Sequence, residues 1–324
     1  MSTRMLDVLR QLAHADFRSG ELIASRLGCS RSTVGNAIRE AGEQGVLIHA
    51  VHGRGYRLVQ PLTWLDSEVL ESTLAARGMR LHFHDQLEST NTSLLDWARE
   101  GAPHRALVVA EWQRGGRGRR GRSWLGGLGN GLAFSMLWRS ARPVAELSGL
   151  SLAVGQILAQ RLRSLGVEKA GVKWPNDILV EGAKLAGVLI ELSGDMLGPS
   201  AAVIGVGINV IGGEVLTTRV GQPVTDLSRY LGQVERNQLL LDLVESLDAG
   251  LSHFEAEGFA GFRNAWMACH AYQDQRVEVW LADGARLAGV ARGVDSSGAL
   301  LLDMAGDMRR LHTGEVSLRP AETP

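Results

Sequence analysis

The chain has 324 residues, 45% of them hydrophobic, and a formal net charge of −1. That is enough apolar material for a packed core, and the charge argues against a global polyanion binder, so any nucleic-acid contact must come from a local patch. Two cysteines, Cys29 and Cys269, without a CxxC spacing argue against a disulfide framework or thiolate zinc site and fit a reducing cytoplasm.

The opening MSTRMLDVLRQLAHADF carries no apolar signal-peptide core, and no run approaches the ~18 apolar residues of a transmembrane helix. Residues 1–62 predict three short helices and a hairpin. Met5, Leu6, Leu9 and Leu12 form a helical stripe. Ser19 can cap a second helix, GELIASRL. The turn Gly28-Cys29-Ser30 leads into a third, RSTVGNAIREAGEQ, with Val34, Ile38 and Ala41 on one face. VLIHAV and YRLV, joined by HGRG, read as two strands of a wing. The order is that of a winged helix-turn-helix. Eight arginines against five acids in residues 1–60 make this module locally basic. Ser30, Arg31, Ser32, Thr33 and Asn36 fall where a recognition helix meets DNA, and Arg54 and Arg57 arm the wing. A winged helix used only for protein contacts is the alternative.

Pro61 marks a boundary, and Trp64 is expected to begin a helical linker. Residues 66–271 mix strands (MRLHFHD, ALVVAEW, GLAFSMLW, GVKWP, DILVEG, LAGVLIEL, AAVIGVGINV) with helices (STNTSLLDWARE, AELSGLSLAVGQILAQRLRSLG, ERNQLLLDLVESLDAGLSHFEAEGF). Short turns between strand pairs predict an α+β domain with a mixed sheet. Residues 272–324 change to five short strands with close turn signals, an SH3-like β-barrel.

Between two of the apolar strands lies QRGGRGRRGRSW, residues 113–124, with five arginines and four glycines. Tethered at both ends, it is read as an anion cradle that closes over a ligand: glycines permit close backbone approach, and guanidinium forks suit carboxylates and phosphates. A nucleic-acid patch or a flexible loop is the alternative. Lys173-Trp174-Pro175-Asn176-Asp177 offers a carboxylate and an amide at a strand end. Lys184 opens the next strand beside glycines, where an anion site competes with a surface lysine. Gly205, Gly207 and Asn209 allow a further close approach, or are plain strand residues.

GRGRRGRSW, KWPNDILV, KLAGVLIEL and VIGVGINV together resemble the signature blocks of biotin protein ligases. With a winged helix in front, the whole chain resembles the bifunctional ligase and biotin operon repressor class. The resemblance implies a class II synthetase-like catalytic domain and two reactions. ATP and biotin give biotinyl-5′-adenylate with the help of Mg2+; a lysine of the biotin carboxyl carrier protein of acetyl-CoA carboxylase then takes the biotinyl group. It implies Ser89, Thr90, Asn91, Gln113, Gly116, Arg117, Gly118, Arg119, Lys184 and Gly187 on biotin. Arg122, Trp124, Asn176, Asp177, Gly207, Asn209 and Arg319 fall on the nucleotide side. Arg119, Lys184 and Asp177 are the catalytic candidates; Asp177 or solvent deprotonates the attacking lysine. No metal-ligand set of the protein's own is implied. The implied partners are carrier protein, operator DNA of biotin-synthesis genes and a second copy of the chain when adenylate is bound, with no membrane. A ligase with a vestigial DNA-binding domain, a non-catalytic biotin-sensing regulator and a lipoate ligase are the alternatives.

One departure stands out. In familiar bifunctional members a tryptophan after the GIN segment packs on the adenine, whereas IGGEVLTTRVGQPVTDL has no aromatic residue. Val220, Pro223 or Val224 is expected to cover the adenine instead, and adenylate-linked dimerisation is expected to be weaker.

Overall fold

The computed structural model describes residues 4–194, 196, 198–281, 284–312 and 317–320; the side chains of residues 214, 215, 219 and 317–320 lie outside the described set. The N-terminal module consists of α1 (Arg4–Arg10), α2 (Gly20–Arg26), α3 (Arg31–Glu43) and the hairpin β1 (Ile48–Val51) and β2 (Gly55–Leu58). Ser19 and Ser30 cap α2 and α3, accepting from Leu22 and Thr33 amides at 3.1 Å each, which satisfies donors the helices cannot pair internally. Val34, Ala37 and Ala41 bury one face of α3, while Ile38 is half-buried beside them. Leu12, past the end of α1, completes the stripe as a buried residue.

The expected helix at Trp64 is absent. Residues 59–66 run in irregular conformation, and α4 (Ser67–Ala76) begins only after Asp66, whose carboxylate caps the Val69 amide at 3.1 Å. The reason is tertiary. The 63–66 backbone bonds to side chains of the central domain, as described below, rather than to its own helical turn.

The central domain adds β3 (Leu81–Leu87), α5 (Thr90–Arg99), β4 (Leu107–Gln113), β5 (Gly131–Ser140), α6 (Leu150–Ser164), β6 (Ala170–Lys173), β7 (Asp177–Val180), β8 (Ala183–Gly194) and β9 (Ser200–Asn209). It continues with α7 (Gly213–Val220), α8 (Ser228–Leu231), α9 (Arg236–Glu257) and α10 (Arg263–Ala268). Its strands form one sheet in the order β3-β4-β5-β9-β8-β7-β6, with β3 and β4 parallel and the other neighbours antiparallel. The sheet is mixed, as the sequence predicted. β9 is buried along nearly its whole length, as expected of a strand covered on both faces. α6 packs on one face with α9 behind it, and α5 packs on the other. The long helical run before residue 166 is split. A short 3-10 turn, Val144–Leu147, is separated from α6 by Gly149 at φ +79, where a Cβ would sit 2.4 Å from Phe259.

The last body is a five-stranded antiparallel sheet of β10 (Arg276–Trp280), β11 (Arg286–Val294), β12 (Leu300–Met304), β13 (Asp307–Leu311) and β14 (Ser317–Pro320), in the order β13-β12-β11-β10-β14. Its core is continuous with that of the central domain. The indole of the fully buried Trp174 donates to the Gly298 carbonyl at 3.1 Å, which ties the KWPND turn to this body.

Candidate active site

Where α5 leaves the sheet uncovered, a cavity of about 800 Å³ opens under the Gly/Arg loop. Three glycines make its floor. A Cβ on Gly207 would lie 2.4 Å from the Trp124 ring, one on Gly187 3.2 Å from it, and one on Gly205 2.1 Å from Asn91 Oδ1. These positions lack side chains because others occupy the space, which for Gly205 and Gly207 favours the close approach over a plain strand pair.

Arg117, Arg119, Arg120, Arg122, Lys173 and Lys184 all line the cavity, against one carboxylate, Asp177. Such an excess of cations is suited to a substrate carrying several negative charges. Lys184 Nζ lies 2.7 Å from Asp177 Oδ1, with both side chains largely buried, and 5.5 Å from the centre of the Trp124 ring. The backbone of Lys184 is pinned from the other side. Its amide donates to the Pro223 carbonyl at 2.9 Å, and its carbonyl accepts from the Thr225 amide at 3.0 Å and from Asn209 Nδ2 at 3.3 Å.

The loop is locally folded. Arg117 bridges to Ser123, and the Gly118 amide donates to the Arg122 carbonyl at 2.7 Å. Its apex turns through Arg120 at φ 61 and Gly121 at φ 70. Gly116 has no room for a side chain, since a Cβ would fall 2.5 Å from the Trp124 carbonyl oxygen. Arg119 reaches Asn176 Oδ1 at 3.4 Å, while Asn176 Nδ2 donates to the Val188 carbonyl at 2.8 Å. Burial holds the Arg119 guanidinium below its ordinary pKa; neighbouring Arg120 adds to this, Asp177 opposes it, and Arg122 adds again. A partly desolvated cation among cations gains most when an anion arrives.

The rest of the lining includes a row of uncharged side chains. Thr90 N–H donates to Gln113 Oε1 at 2.7 Å, and Thr90 and Asn91, both buried, lie 2.7 and 2.6 Å from the hydroxyl of Ser135. Ser89 is the N-cap residue of α5 but makes no side-chain cap bond, so its hydroxyl is not consumed there.

Of the predicted site residues, Ser89, Thr90, Asn91, Gln113, Arg117, Gly118, Arg119, Arg122, Trp124, Asn176, Asp177, Lys184, Gly187 and Gly207 line the cavity together. Gly116 and Asn209 do not. Gly116 shapes the loop behind Trp124, and Asn209 is buried, bonding to Lys184 and Thr225 carbonyls. Arg319 lies in β14, opposite Glu278 in register, but its side chain is outside the described residues. Val220 and Pro223 line the mouth; Val224 is buried and pairs with the Lys184 backbone. Sequence reasoning missed Ser135, Tyr272 and Glu191. Ser135 and Glu191 leave the faint signal of a polar residue inside an apolar strand. Tyr272 lines the cavity, and its phenol is raised by burial and then by Asp177. Nothing local in the sequence marks it.

In the winged helix, Arg31, Ser32 and Asn36 are exposed on α3. Ser30 and Thr33 are engaged in the cap, their hydroxyls 2.8 Å apart. Arg54 and Arg57 stand over Phe17 at 4.5 and 5.1 Å, which braces the wing against the loop before α2. Among the described residues, no helix is long and apolar enough to cross a membrane, and no group of three or more His, Cys, Asp or Glu side chains forms a metal cluster.

Three family models match along the chain: an HTH domain at residues 4–57, the biotin/lipoate A/B protein ligase family at 83–209 and the biotin protein ligase C terminal domain at 274–319. The chain is 37% identical over 321 residues to the bifunctional ligase/repressor BirA of Salmonella typhimurium and 36% identical to that of Escherichia coli, covering 99% of both chains in each case. It is also similar to a solved biotin protein ligase from Aquifex aeolicus in complex with biotin and ATP, with 27% identity and a TM-score of 0.63 over 75% of this chain and 99% of that one. The fold, the cation-lined cavity and these relatives agree: the chain belongs to the biotin protein ligases, in the class that carries a helix-turn-helix domain as bifunctional ligase and repressor.

Proposed function

We propose that the cavity joins biotin to ATP and passes the biotinyl group to a lysine of the biotin carboxyl carrier protein of acetyl-CoA carboxylase. The observation that carries this reading is one cavity lined both by the uncharged side chains of Ser89, Thr90, Asn91 and Gln113 and by six cations. The bicyclic ring of biotin fits the row Ser89, Thr90, Asn91 and Gln113. Its carboxylate fits Lys184 and Arg119, beside a nucleotide held by Arg122, Asn176 and the Val220–Pro223 mouth.

In the first step a biotin carboxylate oxygen attacks the α-phosphorus and the bond to the β-phosphate breaks, releasing pyrophosphate. Two anions must approach each other, so fixed cations lower the barrier. Asp177 supports Lys184 at 2.7 Å and keeps its ammonium directed at the reacting centre. In the second step the carrier lysine attacks the acyl carbon, AMP leaves, and the amine loses its proton to Asp177 or water. The lid, stapled over Trp124, excludes water from the anhydride in the interval. Mg2+ fits as a companion of ATP: a single carboxylate, Asp177, suits an ion that takes most of its ligands from phosphate and water. When bound, the ion supplies charge neutralisation between the phosphates.

The winged helix supports operator binding through Arg31, Ser32, Asn36 and Arg54, with two copies of the chain on an inverted repeat. The two free cysteines, one of them buried, fit a reducing cytoplasm.

The test is incubation with ATP, Mg2+, biotin and purified carrier domain, scored by intact mass, beside an Arg119→Gly variant. The parent protein should add one biotinyl group to the carrier. The variant should leak adenylate and label other proteins. Biotin binding without any mass change on the carrier would reduce the protein to a biotin-sensing regulator.

A further inference from the structure

Glu191, on β8, is not part of the cavity wall, yet it holds two residues that are. Its Oε2 accepts from Asn91 Nδ2 at 2.9 Å and from the Arg117 guanidinium at 2.7 Å. Asn91 is fixed on its other sides as well. Its Nδ2 also donates to the Leu189 carbonyl at 3.1 Å, its Oδ1 accepts from Ser135 Oγ at 2.6 Å, and Gly205 beneath it leaves the space it fills.

With two acceptors facing Nδ2 and a hydroxyl facing Oδ1, only one orientation of this amide is consistent. The polarity then propagates. Ser135 has one proton, and Asn91 Oδ1 can only accept it. The Ser135 and Thr90 hydroxyls lie 2.7 Å apart, and Thr90 Oγ1 donates to Gln113 Oε1 at 3.2 Å. Thr90 Oγ1 is left with a lone pair to offer, which is an acceptor for a ligand N–H. Removing the Glu191 charge loosens this row at its anchored end and frees Arg117, the arginine at the near edge of the lid.

We propose that Glu191 is a positioning residue for the uncharged row of the cavity: it orients the Asn91 amide and draws Arg117 across that row, and so sets the affinity for the ring-bearing substrate without touching it. The inference rests on the reading that biotin, and not the nucleotide, lies along this row. Glu191 bonds the Asn91 row and Arg117, whereas Lys184 pairs with Asp177, so the effect should be selective for one substrate.

The experiment compares the full-length parent with Glu191→Gln and Glu191→Asp, measuring biotin affinity by calorimetry, KM for biotin and ATP, kcat in carrier labelling, and melting temperature. Glu191→Gln keeps the shape and removes the charge. It should weaken biotin binding by roughly 10- to 100-fold, the range for a hydrogen bond to a charged group. KM for biotin should rise in step, while KM for ATP and kcat stay within about threefold. Glu191→Asp keeps the charge and should recover part of the affinity. Equal biotin affinity in Glu191→Gln and parent overturns the inference, as does a rise in both KM values alongside a lower melting temperature, the mark of a structural role alone. A parent that binds no biotin overturns the reading of the site on which the inference rests; a parent that binds it beside an unchanged variant overturns the inference only.

Discussion

Glu111 and Arg236 form an ion pair at 2.6 Å with both side chains at 0% exposure. Glu111 lies on β4 two residues before Gln113 of the cavity, and Arg236 is the first residue of α9. The pair also holds the segment between the winged helix and the catalytic domain: Glu111 accepts the Leu65 amide at 2.9 Å, and Arg236 donates to the Thr63 carbonyl at 2.5 Å. Asn237 completes the clamp, accepting the Asp66 amide at 2.8 Å. Between Glu111 and Gln113, Trp112 packs into the core of the winged helix. Three consecutive residues thus touch the linker, the DNA-binding module and the ligand cavity.

Breaking that pair from one side should be costly. Glu111→Gln leaves the Arg236 charge buried and uncompensated, with Nε and Nη2 already without hydrogen-bond partners among the described residues. A loss of about 3–5 kcal/mol is expected. Replacing both residues by methionine should recover part of it, because the desolvated charge is then gone while the Leu65 amide and Thr63 carbonyl lose their partners. Denaturant titration of the single and double variants checks this. A single variant as stable as the parent, or a double variant as weak as the single, would contradict it.

Gly207→Ala tests the floor of the cavity. The added methyl would lie 2.4 Å from Trp124 Cε2 with no unusual backbone angle to relieve. The cheapest relaxation is movement of the ring toward the cavity, so ligand affinity should fall by about 10- to 100-fold, matching an overpacking cost of ~1–3 kcal/mol. Calorimetry with biotin and with ATP measures it. Full binding of both would show that Trp124 yields elsewhere.

His270 gives an acid sensitivity with a definite sign. It is 6% exposed, stacked on Trp266 with its Nδ1 3.4 Å from Gln273 Oε1. Burial pushes its pKa down from 6.5 to about 4, with Gln273 and Asp274 opposing. Between those values the unfolded chain binds the proton and the folded one does not. Stability present above pH ~6.5 is therefore lost as pH falls toward ~4, on the order of 3 kcal/mol from this group alone. Melting temperatures of the parent and His270→Gln at pH 7 and 4.5 measure the difference. The variant should show the shallower fall, and equal slopes would remove His270 from the account.

The proposed adenylate-linked pairing of two copies can be tested at the mouth of the cavity. Residues 210–227 contain no aromatic side chain, and the covering apolar groups are Val220 and Pro223. A small aliphatic cover gains less from ordering around an adenine than an indole would. Dimer affinity measured by sedimentation equilibrium, with and without a non-hydrolysable adenylate analogue, should be comparable. Strong tightening by the analogue would refute this.

Local signals in the sequence were enough for the caps Ser19 and Ser30, the strands of the central sheet and the helices α5, α6 and α9. Periodicity, turn residues and motif spacing act within a few residues, and the short helices α7, α8 and α10, of eight residues or fewer, carry too little of that pattern to be read. They failed at Trp64, where linker carbonyls and amides bond to Glu111, Arg236 and Asn237 instead of to one another. They also failed at Asn209, on the VIGVGINV block, and at Val224, one of three residues expected over the adenine, since neither position reveals that it faces Lys184's backbone and not the cavity.

What the sequence marked alone was the set of cavity-lining candidates: the Gly/Arg loop, Lys184, Asp177, Asn176 and the uncharged row at Ser89–Asn91. What the tertiary structure decided was which partners hold them. The Lys184–Asp177 pair, the Ser135 hydroxyl between Thr90 and Asn91, Glu191 behind Arg117, and the glycines beneath Trp124 and Asn91 join strands far apart in the chain. Their register is set by the packing of the whole sheet, and no local pattern of residues encodes it.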